Sequence, residues 1–490
     1  MNQMTKISNT HAASDARTEA PQVTVRLGVF FDGTGNNRVN SQIGADCQAM
    51  AEVNGGVHTK ECGGRHTDPG SSYSNSLTNI ARLAGLYARQ RKAIINADGA
   101  YVYGAVYVSG VGTTSGGRDS RLSGQGFGRG TTGVVAKVSW GIKKLADELL
   151  MFESDNPGCV IGALELDVFG FSRGAASARH LANEVLKKSR GALDPVLDPR
   201  KLPLSDSFSW ASGSVRLKVI GLFDTVAAVG GISDLGSVRD AVNKRVNLFL
   251  PPGCAQQVLH LVAGDEHRRN FVLNSVKPDW PREIVLPGSH SDIGGGYQPQ
   301  EVEKVSLFRP RRSLVSVNTP YDATDAWQQA HAELSTLDAQ RLLDPADESA
   351  SLGVECFERS GSTSRGVKTV VATVTLERRV YNHLALVYLR VMHALASEEG
   401  VPFLPIKDSA EISLPPELRT IAAKLLSYAK GEGGALSDAE QTLLYRRYIH
   451  RSAHWNNFRR DALVDGLFVH APALEGRQMF TNIGQPGCPQ

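Results

Sequence analysis

VIGALELDVFGFSRGAASARHLANEVLKKS, residues Val160 to Ser189, is the stretch whose reading settles the fold of this chain. Its first twelve residues form a nearly unbroken apolar run ending at Phe171, as expected of a strand buried on both faces. From Ala175 to Ser189 small and apolar side chains recur at helical spacing. Between the two lies Gly170-Phe171-Ser172-Arg173-Gly174, a G-x-S-x-G pattern at a strand-to-helix turn. Glycine is needed two positions either side of the serine because strand and helix pass too close there for a Cβ. Ser172 then stands at the carboxyl end of the sheet, beside a helix N-terminus whose N–H groups and dipole favour a developing oxyanion. The bland alternative is a serine capping an ordinary helix. The functional one requires an acid and a histidine later in the chain, in that order.

The strand-helix alternation continues on both sides. Val23 to Phe31 reads as a buried strand breaking off into the turn-rich DGTGNN, and Ser76 to Arg91 as a helix capped by Ser76 or Thr78. A strand over Ala100 to Gly110 and a helix over Gly133 to Phe152 follow, then strands over Val215 to Phe223 and Arg282 to Gly288. This order predicts an α/β fold with a mainly parallel central sheet and helices on both faces. Residues 1–20 are polar and predict a mobile tail, and 38–75, rich in Gly, Asn and Ser without period, predict an insertion. Beyond about residue 300, stretches such as Arg379 to Glu399 and Leu418 to Lys430 predict a mainly helical region. The chain therefore divides into a domain over 21–300 and a helical region over 301–490 packing back on it, since 490 residues exceed one ordinary core.

Composition narrows the class. A hydrophobic share of 41% with a charged share of 21% excludes both wholesale disorder and a membrane bundle. Lys and Arg number 53 against 50 Asp and Glu, and a net charge of +3 argues for no nucleic-acid partner. The cysteines are scattered with no C-x-x-C pair, which points away from a zinc knuckle; a Cys47 to Cys62 bridge is the one local pairing open. The first twenty residues hold no apolar h-region, so a Sec signal peptide is not expected. GQGFGRG, Gly124 to Gly130, superficially matches a phosphate loop, but no strand feeds it and no acid follows at the required distance, so no nucleotide is expected.

Acid and base both follow Ser172 in the right order. Asp224 ends the strand VRLKVIGLF and His290 follows the strand REIVLPG, so each sits at a strand terminus. The plainer readings are an Asx-turn aspartate and a loop histidine. Two rival acids exist: Asp292, too near His290 in sequence and better suited to ordering the glycine loop, and Asp265, read as helical within an ion-pair cluster of Glu266, Arg268 and Arg269. His260, His383, His393, His450 and His454 are read as lying on helices, and only His454 is a candidate. For the oxyanion, the Arg173 N–H is the first donor, and the loop Asp32-Gly33-Thr34 is placed to supply the second, with Asp32 equally readable as a turn former. Such chemistry requires no metal and no organic cofactor.

Taken together, FFDGTGNN, GQGFGRG, GFSRGAASAR, GLFDTVAAVG, DEHRRNF and PGSHSDIGGGY resemble the α/β-hydrolase domain of the first family of type VI secretion lipase effectors. The resemblance is strong over about residues 23–297 and weaker through YIHRSAHWN. It implies an antibacterial phospholipase A acting on membrane phospholipid, with Ser172 as nucleophile, Asp224 as acid and His290 as base. It implies also a protein made in the bacterial cytoplasm, carried by a type VI spike protein to the periplasm and membrane surface of a target cell, and restrained by an immunity protein. The region beyond 300 would correspond to a helical cap or membrane-contacting part, although the apolar run Leu384 to Ala396 reads first as core. Two other readings are a soluble carboxylesterase of the same fold and a non-catalytic scaffold that binds a spike or partner.

Overall fold

Apolar residues on β1 (Gln22–Phe31) alternate between two cores, Val25, Leu27, Val29 and Phe31 toward one and Phe30 toward the other. A strand of this kind is stable only with helices on both sides. The computed structural model describes residues 20–53, 71–96, 99–116, 119, 133–227, 246–359, 366–407, 409–455 and 470–483. After β1 come α1 (Arg38–Val53), α2 (Asn79–Leu86), β2 (Gln90–Asn96), β3 (Gly99–Val108), α3 (Val134–Leu150) and α4 (Phe152–Asp155). Next are β4 (Val160–Phe171), α5 (Arg173–Leu186), β5 (Val215–Phe223), β6 (Gln257–Ala263), β7 (Leu273–Asn274), β8 (Glu283–Leu286) and α6 (His290–Gly294). The remainder runs β9 (Gln300–Ser306), β10 (Arg311–Ser316), α7 (Asp325–Leu334), α8 (Ala339–Leu342), β11 (Ser351–Arg359) and β12 (Val367–Tyr381). It ends with α9 (His383–Glu398), α10 (Pro416–Lys430), α11 (Asp438–Arg447) and β13 (Met479–Phe480).

The main sheet has the order β2-β3-β1-β4-β5-β6-β8. All its pairings are parallel except β2 with β3. On one face Val138, Ile142 and Leu145 of α3 pack with Ala178 and Leu181 of α5; on the other lie Ile80 and Leu83 of α2, Leu386 and Leu389 of α9 and Leu418 of α10. Chain order turns back at β1, which pairs with β3 on one side and β4 on the other, so the carboxyl ends of β1 and β4 open onto the crevice where such sheets place ligands. Asp167 would be an unpaired charge in the middle of β4. Arg26 of β1 grips it at 2.8 and 3.0 Å and the Tyr87 hydroxyl donates to it at 2.7 Å.

Four expectations from the sequence need correcting. Part of the expected insertion is helix: α1 is polar and held by hydrogen bonds such as Asn40 Nδ2 to Ser72 Oγ at 2.9 Å, which leaves no hydrophobic period to read. The helix expected to reach Arg91 stops at Leu86, and Gln90–Asn96 is an edge strand. The strand β6 was not expected, and it carries His260, read earlier as helical; QVLHLVA is a short apolar run whose length alone favours a strand. The region after 300 is not mainly helical, because β9 to β12 form an antiparallel sheet before α9 begins. Its longest member, VKTVVATVTLERRVY, is β-branched for much of its length, which suits a pleated surface. α9 is core, with Leu384, Leu386, Val387, Leu389, Met392 and Leu395 buried. Among the described residues no helix is long and apolar enough to cross a membrane. Cys47 is disulfide-bonded, while Cys62 and the GQGFGRG stretch lie outside the described residues.

Candidate active site

Ser172 occupies the single residue between β4 and α5 and has φ 56° and ψ −123°, a conformation L-residues adopt only under constraint. The constraint is visible in its glycines. A Cβ on Gly170 would sit 2.3 Å from the Gly174 carbonyl oxygen, and one on Gly174 would sit 2.2 Å from that of Phe31. Hydrogen bonds lock the turn to the next strand, with Ser172 N–H donating to Phe223 O at 3.0 Å and Val226 N–H to Ser172 O at 3.4 Å.

Asp224 follows β5 directly, is fully buried and also has a positive φ, 41°. Its Oδ2 accepts from His290 Nδ1 at 2.5 Å and from Arg477 Nη2 at 2.8 Å; its Oδ1 accepts from Arg477 Nη1 at 2.8 Å and Ala263 N–H at 3.1 Å. Burial alone would raise this carboxyl, but Arg477 and His290 outweigh it and hold the group well below the usual carboxylate range. An ionised carboxylate only accepts, so His290 carries its proton on Nδ1 and presents a bare Nε2.

His290 opens α6. Ser289 caps that helix, and Asp292 closes a reciprocal capping box with Ser289. The imidazole lies between the rings of Phe171 and Phe271, at centroid distances of 4.7 and 4.9 Å. Its backbone N–H reaches Glu266 Oε2 at 3.3 Å, and Glu266 is itself paired with Arg268 at 2.7 Å. Burial lowers the His290 pKa below its ordinary value, against the pull of Asp224. The imidazole is therefore neutral at neutral pH and able to take a proton.

The structure brings Ser172, Asp224 and His290 to one end of one sheet. It treats the expected oxyanion loop differently. The Asp32 N–H donates to Val108 O at 3.0 Å and the Gly33 N–H to the Asp32 carboxylate at 2.7 Å, so of the loop Asp32-Gly33-Thr34 the first two donors are already engaged. Asp32 also accepts from Thr78 Oγ1 at 2.7 Å and Tyr107 Oη at 2.5 Å, tying β1 to α2 and β3 as a turn-forming residue. Arg173 begins α5, which puts its amide in the first turn. Among the rivals, Asp292 accepts from His450 Nδ1 at 2.7 Å, and Asp265 lies in a turn, not a helix, accepting from Gly288 N–H and Tyr445 Oη at 2.7 Å each. His450 is not helical either, since α11 ends at Arg447, and His454 stacks on His470.

Two groups escaped the sequence reading. One is Arg477, 253 residues from the carboxylate it grips. The other is a buried set behind the Asp224 turn, in which His260 Nε2 accepts from Thr225 N–H at 3.1 Å and His260 Nδ1 faces Glu283 at 3.0 Å. Only the general rule that a fully buried carboxylate needs a counter-charge signalled such partners, and that rule names no residue.

A strained serine and a buried aspartate-histidine pair at the carboxyl edge of a parallel sheet are the features of an α/β enzyme. The family described as the catalytic domain of Tle1-like type VI secretion phospholipase effectors matches residues 205–314. The solved structure of the Tle1 effector bound to the VgrG spike from the type 6 secretion system is 30% identical, with TM-score 0.70, covering 97% of this chain and 98% of that one. A crystal structure of an uncharacterized protein from Pseudomonas aeruginosa is similar at 18% identity and TM-score 0.42, covering 87% of this chain and 53% of that one. No curated protein matches in sequence. The chain belongs to the Tle1-like family of type VI secretion phospholipase effectors, and is a lipolytic hydrolase.

Proposed function

We propose that this protein is a serine hydrolase of α/β-hydrolase fold that cleaves an acyl ester of membrane phospholipids, a phospholipase A. The observation that carries the reading is the 2.5 Å Asp224-His290 contact at the same sheet edge as the strained Ser172. His290 Nε2 takes the Ser172 proton as Oγ attacks the ester carbonyl; the Arg173 amide, at the positive end of α5, stabilises the oxyanion. The lysolipid alcohol leaves with the proton from His290, and water then resolves the acyl-enzyme by the same route. Asp224 holds the imidazole tautomer throughout. Delivery on a VgrG-type spike, action in a rival bacterium's periplasm and restraint by an immunity protein complete the proposal, supported by family membership and by the spike-bound state of the Tle1 relative.

The test is fatty-acid release from defined phospholipids labelled separately at each acyl position, with Ser172→Ala as control. Release by the wild-type protein, lost in the variant, is expected. Turnover confined to monomeric short-chain esters would make it a soluble carboxylesterase. Spike binding without hydrolysis of any ester would make it a scaffold.

A further inference from the structure

We infer that Arg477, from the last described segment of the chain, is the positioning residue for the triad acid, so that the segment 470–483 belongs to the catalytic unit. The inference rests on the triad reading above. Arg477 presents two guanidinium nitrogens to the two oxygens of Asp224, each at 2.8 Å, and its Nε donates to Phe271 O at 2.7 Å. A bidentate fork of this kind fixes the plane of a carboxylate as well as balancing its charge. Here the plane matters, because in it one oxygen meets His290 Nδ1 while the other meets Ala263 N–H.

The segment is built in and does not drape over the surface. β13 pairs with β7 in parallel, Met479 opposite Leu273 and Phe480 opposite Asn274. Ladder bonds extend in both directions, from Ala473 N–H to His267 O at 2.8 Å through Ser275 N–H to Phe480 O at 2.8 Å to Asn482 N–H to Lys277 O at 2.7 Å. Asn482 then accepts from Arg179 of α5 at 3.0 Å and donates to Leu250 O at 2.8 Å. Residues on either side of Arg477 are thus tied to the 267–277 backbone, which also carries Phe271, the ring against His290. Nothing in this arrangement requires Arg477 for the pairing itself; its side chain serves Asp224, Phe271 O and Ala263 O.

Its electrostatic consequence is specific. Among the described residues, the charged groups around His290 are Asp224 and Glu266 as anions and Arg268 and Arg477 as cations, with the Asp292-His450 pair behind α6. Removing the Arg477 cation leaves the Asp224 charge undiluted beside the imidazole, which then holds a proton more tightly. The acidic limb of kcat/KM moves to higher pH, and kcat falls because the acid loses its fixed plane. KM for a monomeric ester, which makes no contact with Arg477 in this reading, stays put.

The experiment compares Arg477→Ala and Arg477→Lys in the full chain, with p-nitrophenyl butyrate as substrate across pH 5–9. For Arg477→Ala we expect kcat reduced about 10²-fold, KM within about twofold, and the acidic limb raised by about half a pH unit or more. Added guanidinium ion, at concentrations that leave the wild type unaffected, should restore part of kcat. Arg477→Lys keeps the charge without the fork, so its limb should stay near wild type while kcat remains several-fold low. Should Arg477→Ala fail to fold, Arg477→Lys with wild-type kcat overturns the inference. A second arm makes Arg477→Ala in an Asp224→Asn background, where the added loss should be under about threefold. If Asp224→Asn is inactive while Arg477→Ala keeps wild-type kcat and limb, the inference fails and the triad stands; if Asp224→Asn is active, the triad itself fails.

Discussion

Replacing Asp224 by Asn is the most discriminating perturbation of the site, because the surroundings dictate how the amide must sit. Ala263 N–H and both Arg477 nitrogens are donors, and Arg477 cannot lose its proton. The amide oxygen therefore takes the Oδ1 position, where Ala263 N–H and Arg477 Nη1 both donate, and the amide NH₂ takes the Oδ2 position, facing His290 Nδ1 and also Arg477 Nη2. Two donors cannot share that 2.5 Å contact, so the imidazole moves its proton to Nε2, where it can no longer accept from Ser172. The corresponding change in a serine protease costs about 10⁴ in kcat, some 5.5 kcal/mol of transition-state stabilisation. Stability suffers too: a buried guanidinium loses its counter-charge, a change that costs about 3–5 kcal/mol. Native domains hold about 5–15 kcal/mol, so the variant folds with a lower Tm. Asp292→Asn and Asp265→Asn are the controls. The first loosens the capping box and the His450 contact, the second the Gly288 and Tyr445 contacts, and each should lower Tm with a much smaller kcat loss. Steady-state kcat and calorimetric Tm on the three variants decide the matter. Asp224→Asn within tenfold of wild type, with either control collapsed at unchanged Tm, refutes the assignment.

Ser172→Ala should lower kcat by at least about 10³ at unchanged Tm, since it removes one oxygen and opens no large cavity; residual turnover above a tenth would exclude Ser172 as nucleophile. Gly174→Ala places a Cβ 2.2 Å from Phe31 O and 2.4 Å from Asp32 O, backbone atoms that cannot step aside, and should destabilise by about 3 kcal/mol or more, read as a fall in denaturant midpoint. Because the His290 pKa lies below 6.5, the base stays neutral as pH falls through that value, so the acidic limb of kcat/KM should bend below pH 6.5; a limb at or above 7 would contradict the site as drawn. His450 moves the opposite way: burial lowers it, but Asp292, Glu303 and Glu301 prevail and raise it above 6.5. The stability it adds is complete below pH 6.5 and is lost as pH rises through the raised value, so the Tm decline across that range should be absent from His450→Gln.

What was legible in the sequence was whatever local chemistry enforces. Ser172 announced itself because two glycines and an apolar strand are the only way to build its turn, and β4 and β5 begin and end where their apolar runs do. The pairing of Asp224 with His290 followed from strand order, which a parallel sheet largely dictates. Legibility failed where partners are long-range or polar. Nothing near Gly476-Arg477-Gln478 hints that this arginine faces β5, and α1 is held by asparagine and serine hydrogen bonds that leave no period. Of the two readings left open for Asp32, the turn former is the one the structure shows. Its carboxylate takes the Gly33 amide, one of those an oxyanion would have used, because that amide is the next one along the chain.

The site also shows why burial and charge must be read together. A lone carboxylate against an imidazole raises the base's affinity for protons, which helps the transition state but leaves the resting base protonated near neutrality. Here Arg477 is paired with Asp224 and Arg268 with Glu266, so among the described residues two anions and two cations offset one another around His290, and burial lowers its pKa. In the proposed mechanism Asp224 then serves chiefly by where it points and by fixing which nitrogen of His290 carries the proton, and less by net charge. That division explains why so much of the chain converges on one carboxylate. β5 supplies it, β6 supplies the Ala263 amide, the His260-Glu283 set steadies the turn after it, and the far end of the chain supplies the fork. A fold that separates orienting the base from charging it can bury the whole apparatus beneath aromatic rings and still keep the base ready to accept a proton.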